Sequence, residues 1–316
     1  MVARLVERGD EVVALARSDE AAAAVAGRGA TVARGNVLDE DSLARGMAGC
    51  ALAYHVAGVN SHCPDDPAQL LRVNVGGAEA AVRAAGREGV SRVVLTSSAA
   101  SVGEPAGTIG SEDTAHRGSY LSVYDRSKHH AEQAAFAAGR SLGVEVVAVN
   151  PSSVQGPGRN AGNGKIIIAY LNGRLRVFVD TYISVVDIDD TVEGHLLAAD
   201  RGRAGERYVL NGGTITSREA VEMVSELSGV RYRVHMLPPA LARSAAVIAD
   251  RVAGARGQAS SSICRARIRT ILHGHRYDGS RATRELGLSY TAITDTFRRT
   301  IGWAVAEGLV TRRLPD

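Results

Sequence analysis

A tyrosine and a lysine four residues apart form the clearest chemical motif of this sequence. Tyr124 and Lys128 lie in the segment SVYDRSKHHAEQ, which is predicted to be helical. Side chains at positions i and i+4 share one face of a helix. An ammonium group beside a phenol stabilises phenolate and lowers the tyrosine pKa, which suits general acid–base catalysis near neutral pH. Lys128 and Lys165 are the only lysines in an arginine-rich chain, so position 128 is predicted to need an amine.

Two serines follow the predicted strand SRVVLT and are the next candidates for chemistry. Ser97 and Ser98 stand at the carboxyl end of that strand, where parallel α/β sheets bind their ligands. One of the two hydroxyls is therefore predicted to hydrogen-bond a substrate oxygen beside Tyr124. The alternative is a serine-rich turn that satisfies its own backbone groups.

Short apolar strands alternate with helices through the first half of the chain. This alternation predicts βαβ units and a parallel sheet that is buried on both faces. Strands are predicted over 11–16, 31–33, 51–56, 91–96, 144–150, 183–186 and 207–210. Helices are predicted over 1–8, 19–27, 40–47, 67–88, 119–141, 163–172, 187–200, 216–228, 239–254, 262–273 and 291–306.

Composition and charge exclude several classes of protein. Of the 316 residues, 45% are hydrophobic and 22% are charged, which excludes a disordered chain and a collagen. The net charge of +3 is too balanced to indicate a nucleic-acid partner. The sequence has no run of 18 apolar residues, and charges interrupt the N-terminal segment where a signal peptide needs an apolar core. We therefore expect no membrane span and a cytoplasmic location.

The order of the motifs resembles that of the extended short-chain dehydrogenase/reductases. A strand followed by TSSA precedes YxxxK, and a strand running into NPSSVQGPG comes next. Further matching segments are YHVAG, RVNVGGAEAAVRAA, SVVDIDDTVEGHLLA and YDGSRATRELGL, so the resemblance covers almost the whole chain. Within the family the chain is most similar to the dihydroflavonol-reductase-like and nucleotide-sugar epimerase-like branch. The resemblance implies a Rossmann-like doubly wound parallel sheet with a smaller, mostly helical C-terminal substrate region.

The same resemblance implies roles for individual residues. Tyr124 matches the catalytic tyrosine, and Lys128 matches the lysine that binds the nicotinamide ribose and lowers the tyrosine pKa. Ser98 matches the hydroxyl that orients the substrate, with Ser97 as the second candidate. Asn74 matches an asparagine near the active site. Besides Tyr124 and Lys128, the matching cofactor contacts are Asn36 and Val37 near the adenine, Ala57 and Gly58 under the adenosine ribose, and Asn150, Pro151, Ser152 and Ser153 along the nicotinamide.

The residue that follows the first predicted strand bears on the choice of cofactor. NAD enzymes carry an acid there for the ribose 2′-hydroxyl, whereas an arginine accommodates the 2′-phosphate of NADP. Here Ala16 occupies the position of the acid and Arg17 follows it. The sequence therefore favours NADP, with NAD as the alternative. The alternative is that Arg17 is a solvated surface residue without a role in cofactor binding.

One feature of the family is missing from the sequence. The family's first strand leads into GxxGxxG, whose glycines let the backbone approach the pyrophosphate. This sequence begins inside the helix that should follow that loop, so the strand at 11–16 lacks a neighbour toward 51–56. We expect that the natural protein starts upstream of Met1 or that this chain is truncated; the alternative is a variant that has lost cofactor binding. The glycines at 103–110 follow a later strand and are not interpreted as a phosphate loop.

Cysteines and histidines give no sign of a metal site. Cys50, Cys63 and Cys264 include no CxxC pair, so the sequence predicts neither a disulfide framework nor a zinc site, and a reducing compartment fits. His273 and His275 have no cysteine or acidic residue at ligand spacing. We therefore expect no bound metal.

Three functions stay open at the level of sequence. The first is an NAD(P)-dependent oxidoreductase acting on a carbonyl or alcohol, the second a nucleotide-sugar epimerase or dehydratase that retains NAD, and the third a cofactor-free binding protein. We assign 1–160 and 176–212 to a cofactor-binding domain and 161–175 with 213–316 to substrate binding. The apolar stretch 234–254 favours a hydrophobic ketone or alcohol over a nucleotide sugar as the small-molecule substrate. The resemblance also implies a homodimer formed through the helices at 67–88 and 119–141.

Overall fold

The computed structural model describes residues 1–159, 164–242, 264–312 and 314–315. Two units are distinguished within the chain. The first consists of Met1–Ser101, Val123–Asn150 and Gly194–Tyr208, and the second of Val102–Ser122, Pro151–Glu193 and Val209–Asp316. The division between cofactor and substrate segments made from the sequence is a functional one and stays a prediction.

Helices and strands follow the predicted alternation closely. The described helices are α1 (Val2–Glu7), α2 (Asp19–Ala26), α3 (Glu40–Met47), α4 (Pro67–Leu71), α5 (Gly77–Glu88), α6 (Val123–Leu142), α7 (Gly164–Leu171), α8 (Ile188–Arg201), α9 (Ser217–Ser228), α10 (Arg265–His273) and α11 (Ile293–Ala306). The described strands are β1 (Val13–Ala16), β2 (Thr31–Arg34), β3 (Leu52–His55), β4 (Arg92–Thr96), β5 (Glu145–Pro151), β6 (Ser153–Gln155), β7 (Val177–Val179), β8 (Tyr182–Asp187), β9 (Arg207–Leu210), β10 (Gly213–Thr216) and β11 (His235–Leu237).

Parallel pairing dominates the first unit. β1 pairs with β2, β3 with β4, and β4 with β5, each in parallel. Parallel strands joined by helices are the signature of an α/β fold, so the predicted Rossmann-like class is confirmed. Ser18 caps α2, because its side chain accepts a hydrogen bond from the Ala21 amide at 3.2 Å.

The strands of the first unit fall into two separate sheets. β1 and β2 form one sheet, and β3, β4, β5 and β9 form the other in the order β3-β4-β5-β9. Among the described residues, no strand joins β1 to β3. This gap agrees with the prediction that the strand at 11–16 has no neighbour toward the strand at 51–56.

The core of the first unit lies where α5 and α6 pack against the larger sheet. Val82, Val93 and Val146 are at most 2% exposed there. Full burial of such a side chain stabilises the fold by about 1.5–3 kcal/mol. Gly139 lets α6 approach β5, since a Cβ at that position would lie 2.6 Å from Val146 Cγ2. The close packing fixes the helix that carries the predicted catalytic pair.

Short strands of the second unit were not predicted from the sequence. β10 pairs antiparallel with β8, β6 pairs parallel with β8, and β11 pairs parallel with β7. Only β8 had been predicted among these five strands, because segments of three or four residues carry too little periodicity. The core of this unit includes Tyr170, Leu171 and Phe297. Most of the helix predicted at 239–254 lies outside the described residues.

The cysteine prediction needs a correction. Cys50 carries a free thiol, whereas Cys63 and Cys264 are disulfide-bonded. The expectation of a chain without disulfides is therefore wrong, because an odd count of cysteines excludes only complete pairing. The argument from cysteines for a reducing compartment loses its support. In the part of the chain that the structure describes, none of the helices is both long and apolar enough to span a bilayer.

Candidate active site

The helix α6 carries both members of the predicted catalytic pair on its buried side. Tyr124 and Lys128 are each 8% exposed. They stand one turn apart near the start of α6, as the spacing predicts. The ring of His62 meets the Tyr124 ring edge-on, with centroids 5.2 Å apart. The phenol therefore lies in a largely water-excluded position beside the imidazole ring of His62.

The Lys128 ammonium is held by the backbone of the neighbouring strand. Nζ donates a hydrogen bond to the Thr96 carbonyl oxygen at 2.9 Å. Burial lowers the Lys128 pKa to about 8, although the negative charge of Glu132 opposes that shift. His55 is also buried, and burial together with the Lys128 charge lowers its pKa to about 4. At pH 7 His55 is therefore neutral and Lys128 is the cation of this pair.

The lowered pKa of Lys128 gives a direct test of this geometry. We expect the signal of ¹³C-dimethylated Lys128 to titrate near pH 8 in NMR spectra, because burial penalises the charged amine. Lys165 is the only other lysine and is exposed on α7, so it supplies the internal reference signal. A Lys128→Arg variant assigns the signals. A midpoint for Lys128 at or above the ordinary lysine value of about 10.4 would contradict the buried site.

A buried asparagine ties three segments together next to this pair. Asn74 lies in a π-helical turn, Arg72–Gly76, between α4 and α5. Its side chain accepts a hydrogen bond from the Val59 amide at 2.7 Å and donates to the Val59 carbonyl at 3.0 Å and to Ser127 Oγ at 2.9 Å. Ser127 Oγ donates in turn to the Tyr124 carbonyl at 2.7 Å. π-helical turns recur at functional sites, and this one directs Asn74 toward the loop after β3 and toward α6.

Gly58 lies against the same residues. A Cβ built on Gly58 would lie 3.1 Å from Asn74 Oδ1 and 3.4 Å from Lys128 Nζ. Gly58 and its neighbour Ala57 are both exposed. The missing side chain thus leaves an open surface directly above the buried lysine, where a ligand can approach the backbone.

The serines after β4 occupy different environments. Ser97 is buried and donates to Ser101 Oγ at 3.3 Å. Ser98 is half-buried, and its Oγ accepts from the Ala100 amide at 3.3 Å. A hydroxyl that accepts one backbone bond keeps its proton free to donate. Ser98 therefore remains the better candidate of the two for contact with a substrate oxygen.

A polar network that the sequence did not reveal lies under α6. Glu132 is 3% exposed and stands one turn beyond Lys128. Its Oε2 accepts hydrogen bonds from Asn150 Nδ2 at 2.7 Å and from Ser101 Oγ at 3.0 Å, and its Oε1 lies 3.2 Å from Arg207 Nε. The side-chain amide of Asn150, a predicted cofactor contact, is thus engaged in a hydrogen bond within the protein. Its amide anchors α6 to β5.

The remaining predicted cofactor residues are spread over both units. Arg17 is exposed at the end of β1. The side-chain oxygen of Asn36 accepts from the Leu38 amide at 3.0 Å, which fixes the turn after β2. Val37 is half-buried and packs on Gly77. Within the first unit these residues share the edge at the carboxyl ends of β1 and β2.

The segment after Asn150 belongs to the second unit. Pro151 is buried at the end of β5. Ser152 Oγ donates to Asn211 Oδ1 at 3.0 Å, and Ser153 Oγ accepts from Gln155 Nε2 at 3.1 Å. Both hydroxyls are therefore engaged within that unit.

Thr96 and His195 are further polar residues of the site that sequence reasoning missed. Thr96 Oγ1 lies 2.7 Å from His195 Nε2, and the Thr96 carbonyl oxygen accepts the hydrogen bond from Lys128 Nζ. His195 is 2% exposed and lies on α8. No local motif marks His195, because its partner stands 99 residues away along the chain.

Comparison with known proteins agrees with this architecture. A sequence profile of the NAD dependent epimerase/dehydratase family matches residues 1–211. The chain is 31% identical over 314 residues to sterol demethylase protein B of Methylococcus capsulatus, covering 98% of this chain and 95% of that protein. It is 29% identical over 318 residues to a putative dihydroflavonol 4-reductase of Synechocystis, covering 98% and 92% respectively.

Solved structures show the same fold. The protein gox2253 superposes with a TM-score of 0.85 at 28% identity, covering 98% of this chain and 94% of that chain. A nucleoside-diphosphate-sugar epimerase of Pseudomonas aeruginosa gives a TM-score of 0.79 at 24% identity over the same shares. The second likeness bears on the fold alone, because the sequence identity is low.

Proposed function

Because the chain belongs to the NAD dependent epimerase/dehydratase family, we propose that it interconverts a carbonyl and an alcohol by hydride transfer with a nicotinamide cofactor. The observation that carries this proposal is the buried pair on α6, Tyr124 and Lys128. A phenol one turn from a buried ammonium provides an acid–base group.

The roles of the three proposed catalytic residues follow from their chemistry. In the direction of reduction, Tyr124 donates its phenolic proton to the carbonyl oxygen as that oxygen becomes an alcohol. Lys128 stabilises the resulting phenolate, and Ser98 donates a hydrogen bond that holds the substrate oxygen. In the reverse direction Tyr124 removes the hydroxyl proton. The bound nicotinamide supplies or accepts the hydride.

The residues around Lys128 fit a nicotinamide ribose. Gly58 leaves space over Lys128 Nζ and Asn74 Oδ1 that a Cβ would fill. Lys128 Nζ has three protons, of which the Thr96 carbonyl accepts one. We therefore assign Lys128 and Tyr124 to the ribose and reacting-ring side of the cofactor. The family resemblance is the basis for proposing Asn150, Pro151, Ser152 and Ser153 as nicotinamide contacts. Asn36, Val37, Ala57 and Gly58 are assigned to the adenosine side.

We propose NADP as the preferred cofactor, with Arg17 as the contact to the 2′-phosphate. Arg17 is exposed at the end of β1 and makes no ion pair with any described residue, so its guanidinium is available for an anion. NAD is the alternative cofactor.

Reversing the charge at Arg17 tests this assignment. In a fluorescence titration, Arg17→Asp is expected to weaken NADPH binding about tenfold or more and to change NADH binding little, since one charge-assisted contact is worth about 1.5–3 kcal/mol. Arg28→Asp is the matched control, because Arg28 is exposed just beyond the C-terminal end of α2 and away from the carboxyl ends of β1 and β2. Equal losses for both nucleotides would remove Arg17 from the phosphate site.

For the substrate we propose a hydrophobic ketone or alcohol. The second unit contains a cavity of about 40 Å³ with apolar walls that include Ile167, Tyr170 and Phe297. Such walls favour an apolar group and offer little to a sugar hydroxyl. The volume is far below the ~300 Å³ of a complete ligand site, so it accommodates only one group of a substrate.

Cofactor consumption separates the proposed oxidoreductase from its alternatives. NADPH and NADH oxidation is followed at 340 nm with a panel of aryl and alkyl ketones, and in parallel with UDP-glucose as a nucleotide-sugar probe. Stoichiometric oxidation with a ketone supports the proposal. Conversion of the sugar nucleotide without net oxidation would favour the epimerase or dehydratase. Absence of any nucleotide binding would contradict the proposed cofactor chemistry of this chain.

We also propose a homodimer formed through the outer faces of α5 and α6. Leu142 is 48% exposed at the end of α6, and the small residue Ala137 beside it is exposed as well. Light scattering is expected to give twice the chain mass of 33.1 kDa. Leu142→Arg is expected to shift this mass to that of a monomer, whereas Leu241→Arg, at an exposed leucine of the second unit, leaves the dimer intact. A monomeric wild type would refute the dimer.

A further inference from the structure

Three side chains with metal-binding atoms converge inside the second unit: Glu104 and, far from it in sequence, the neighbouring His273 and His275. Glu104 Oε1 lies 2.5 Å from His275 Nδ1 and 3.3 Å from His273 Nε2. All three side chains offer ligand atoms within 4.8 Å of one another. Sequence analysis did not predict this group, because Glu104 stands 171 residues before His275. We call these three residues the Glu104 cluster.

The cluster is buried and has unused binding capacity. The side chains of Glu104, His273 and His275 are 1%, 7% and 16% exposed. Glu104 Oε2 and His275 Nε2 are buried and have no hydrogen-bond partner among the described residues. Buried polar atoms without partners are costly, and such atoms in a native site call for a ligand or an ordered solvent molecule.

The backbone around the cluster is built to hold it. Gly110 and Tyr277 form a parallel bridge between the segments that carry Glu104 and the two histidines. The Gly110 amide donates to the Arg276 carbonyl at 2.9 Å, and the Asp278 amide donates to the Gly110 carbonyl at 2.9 Å. His273 also ends α10, which restricts its position. These backbone hydrogen bonds restrict the positions from which the three side chains extend.

From this geometry we propose that Glu104, His273 and His275 bind a divalent transition-metal ion, with zinc as the best match. Imidazole nitrogen and carboxylate oxygen are ordinary zinc ligands at about 2.0–2.2 Å. Tetrahedral coordination places two such ligand atoms about 3.4 Å apart. The 3.3 Å separation of Glu104 Oε1 and His273 Nε2 already meets that requirement.

Binding requires one small adjustment at His275. Its Nδ1 lies 2.5 Å from Glu104 Oε1 and 2.9 Å from the Tyr277 hydroxyl. Zinc binding to Nδ1 would release any proton held there to solvent, and His275 would move away from Glu104 by about 1 Å to reach the ligand spacing. The Tyr277 hydroxyl stands beside the site as a hydrogen-bond partner or as a fourth ligand. The metal would join the segment at Glu104 to the segment at 273–277, and this role does not depend on the proposed oxidoreductase activity.

The test uses tag-free, full-length protein, because a histidine tag would itself bind zinc. After dialysis against a chelator, the protein is titrated with ZnCl₂ by calorimetry, and retained metal is measured by mass spectrometry after gel filtration. We expect one zinc per chain in the wild type and a rise in Tm on zinc addition. Cobalt(II) is expected to give the visible absorption of a tetrahedral site, which reports on coordination independently of activity.

Two ligand variants and one control make the outcome decisive. Glu104→Gln and His273→Gln are expected to weaken zinc binding at least tenfold, since each removes one of three protein ligands. His235→Gln is the control, because His235 is an exposed histidine of the same unit. Circular dichroism in chelator checks that each variant is folded. No stoichiometric zinc in the wild type, or equal retention by all variants, would leave an ordinary hydrogen-bonded cluster and overturn the proposal.

Discussion

Tyr124→Phe is expected to lower kcat for ketone reduction by about 10²–10⁴-fold, the usual contribution of a positioned general acid. The substitution removes a single oxygen from a ring that is 8% exposed, so the packing of α6 is preserved. The KM for the ketone and the Kd for the cofactor should each change by no more than about threefold, because the lost interaction acts on the reacting oxygen. Steady-state kinetics with the ketone identified in the screen, together with fluorescence titration of NADPH, measure both effects.

The control for this experiment is Tyr182→Phe, since Tyr182 is 47% exposed on β8 of the second unit. It should retain wild-type kcat. A Tyr124→Phe protein that binds cofactor and reduces the ketone at the wild-type rate would exclude Tyr124 as the proton donor. If Tyr124→Phe instead lost cofactor binding and kept its turnover at saturation, the phenol would be a binding group only.

Sequence analysis located the helix of the proposed catalytic pair because its signals are local. Tyr124 and Lys128 lie within two turns of one helix, and the spacing of four residues follows from helix geometry alone. The parallel sheet was predictable for a similar reason, since its longer strands contain continuous apolar runs such as Val93–Leu95 in Arg92–Thr96. The missing neighbour of β1 was also predictable, because the order of strands in a doubly wound sheet is fixed.

The parts that escaped prediction depend on contacts between distant segments. His195 meets Thr96 across 99 residues, and Glu104 meets His275 across 171 residues. No periodicity or spacing in one sequence encodes such a pair. The short strands β7 and β11 were missed for a related reason, because each exists only through its pairing with the other.

Glu132 illustrates the same limit and has a large predicted effect on stability. In the sequence Glu132 does not stand out from the other charged residues of α6. In the structure its side chain is only 4% exposed, and both carboxylate oxygens have partners. Oε2 accepts hydrogen bonds from Asn150 and Ser101, and Oε1 forms an ion pair with Arg207. A buried carboxylate with partners on both oxygens is costly to alter, since its partners cannot recover their bonds with water.

Glu132→Gln is therefore expected to destabilise the protein by about 3 kcal/mol, because its amide NH₂ must face either the Arg207 guanidinium or the donors of Asn150 and Ser101. Asp295→Asn is the matched control: Asp295 also pairs with an arginine, Arg298, but both side chains are exposed on α11, so a change below about 1 kcal/mol is expected. Urea unfolding monitored by circular dichroism compares the two variants. A difference of less than 1 kcal/mol between them would show that the buried network contributes no more than a surface ion pair.

The same variant tests whether Glu132 acts on Lys128, the lysine of the proposed catalytic pair. The Glu132 charge raises the Lys128 pKa against the larger effect of burial. Glu132→Gln removes that charge, so the Lys128 pKa should fall below its value of about 8. The NMR titration of methylated lysines measures this shift, with Lys165 as the reference. If the Lys128 pKa stays the same while the free energy of unfolding falls, Glu132 stabilises the fold only. If both the pKa and the free energy of unfolding fall, the hydrogen-bond network of Glu132 also acts on the proposed acid–base pair.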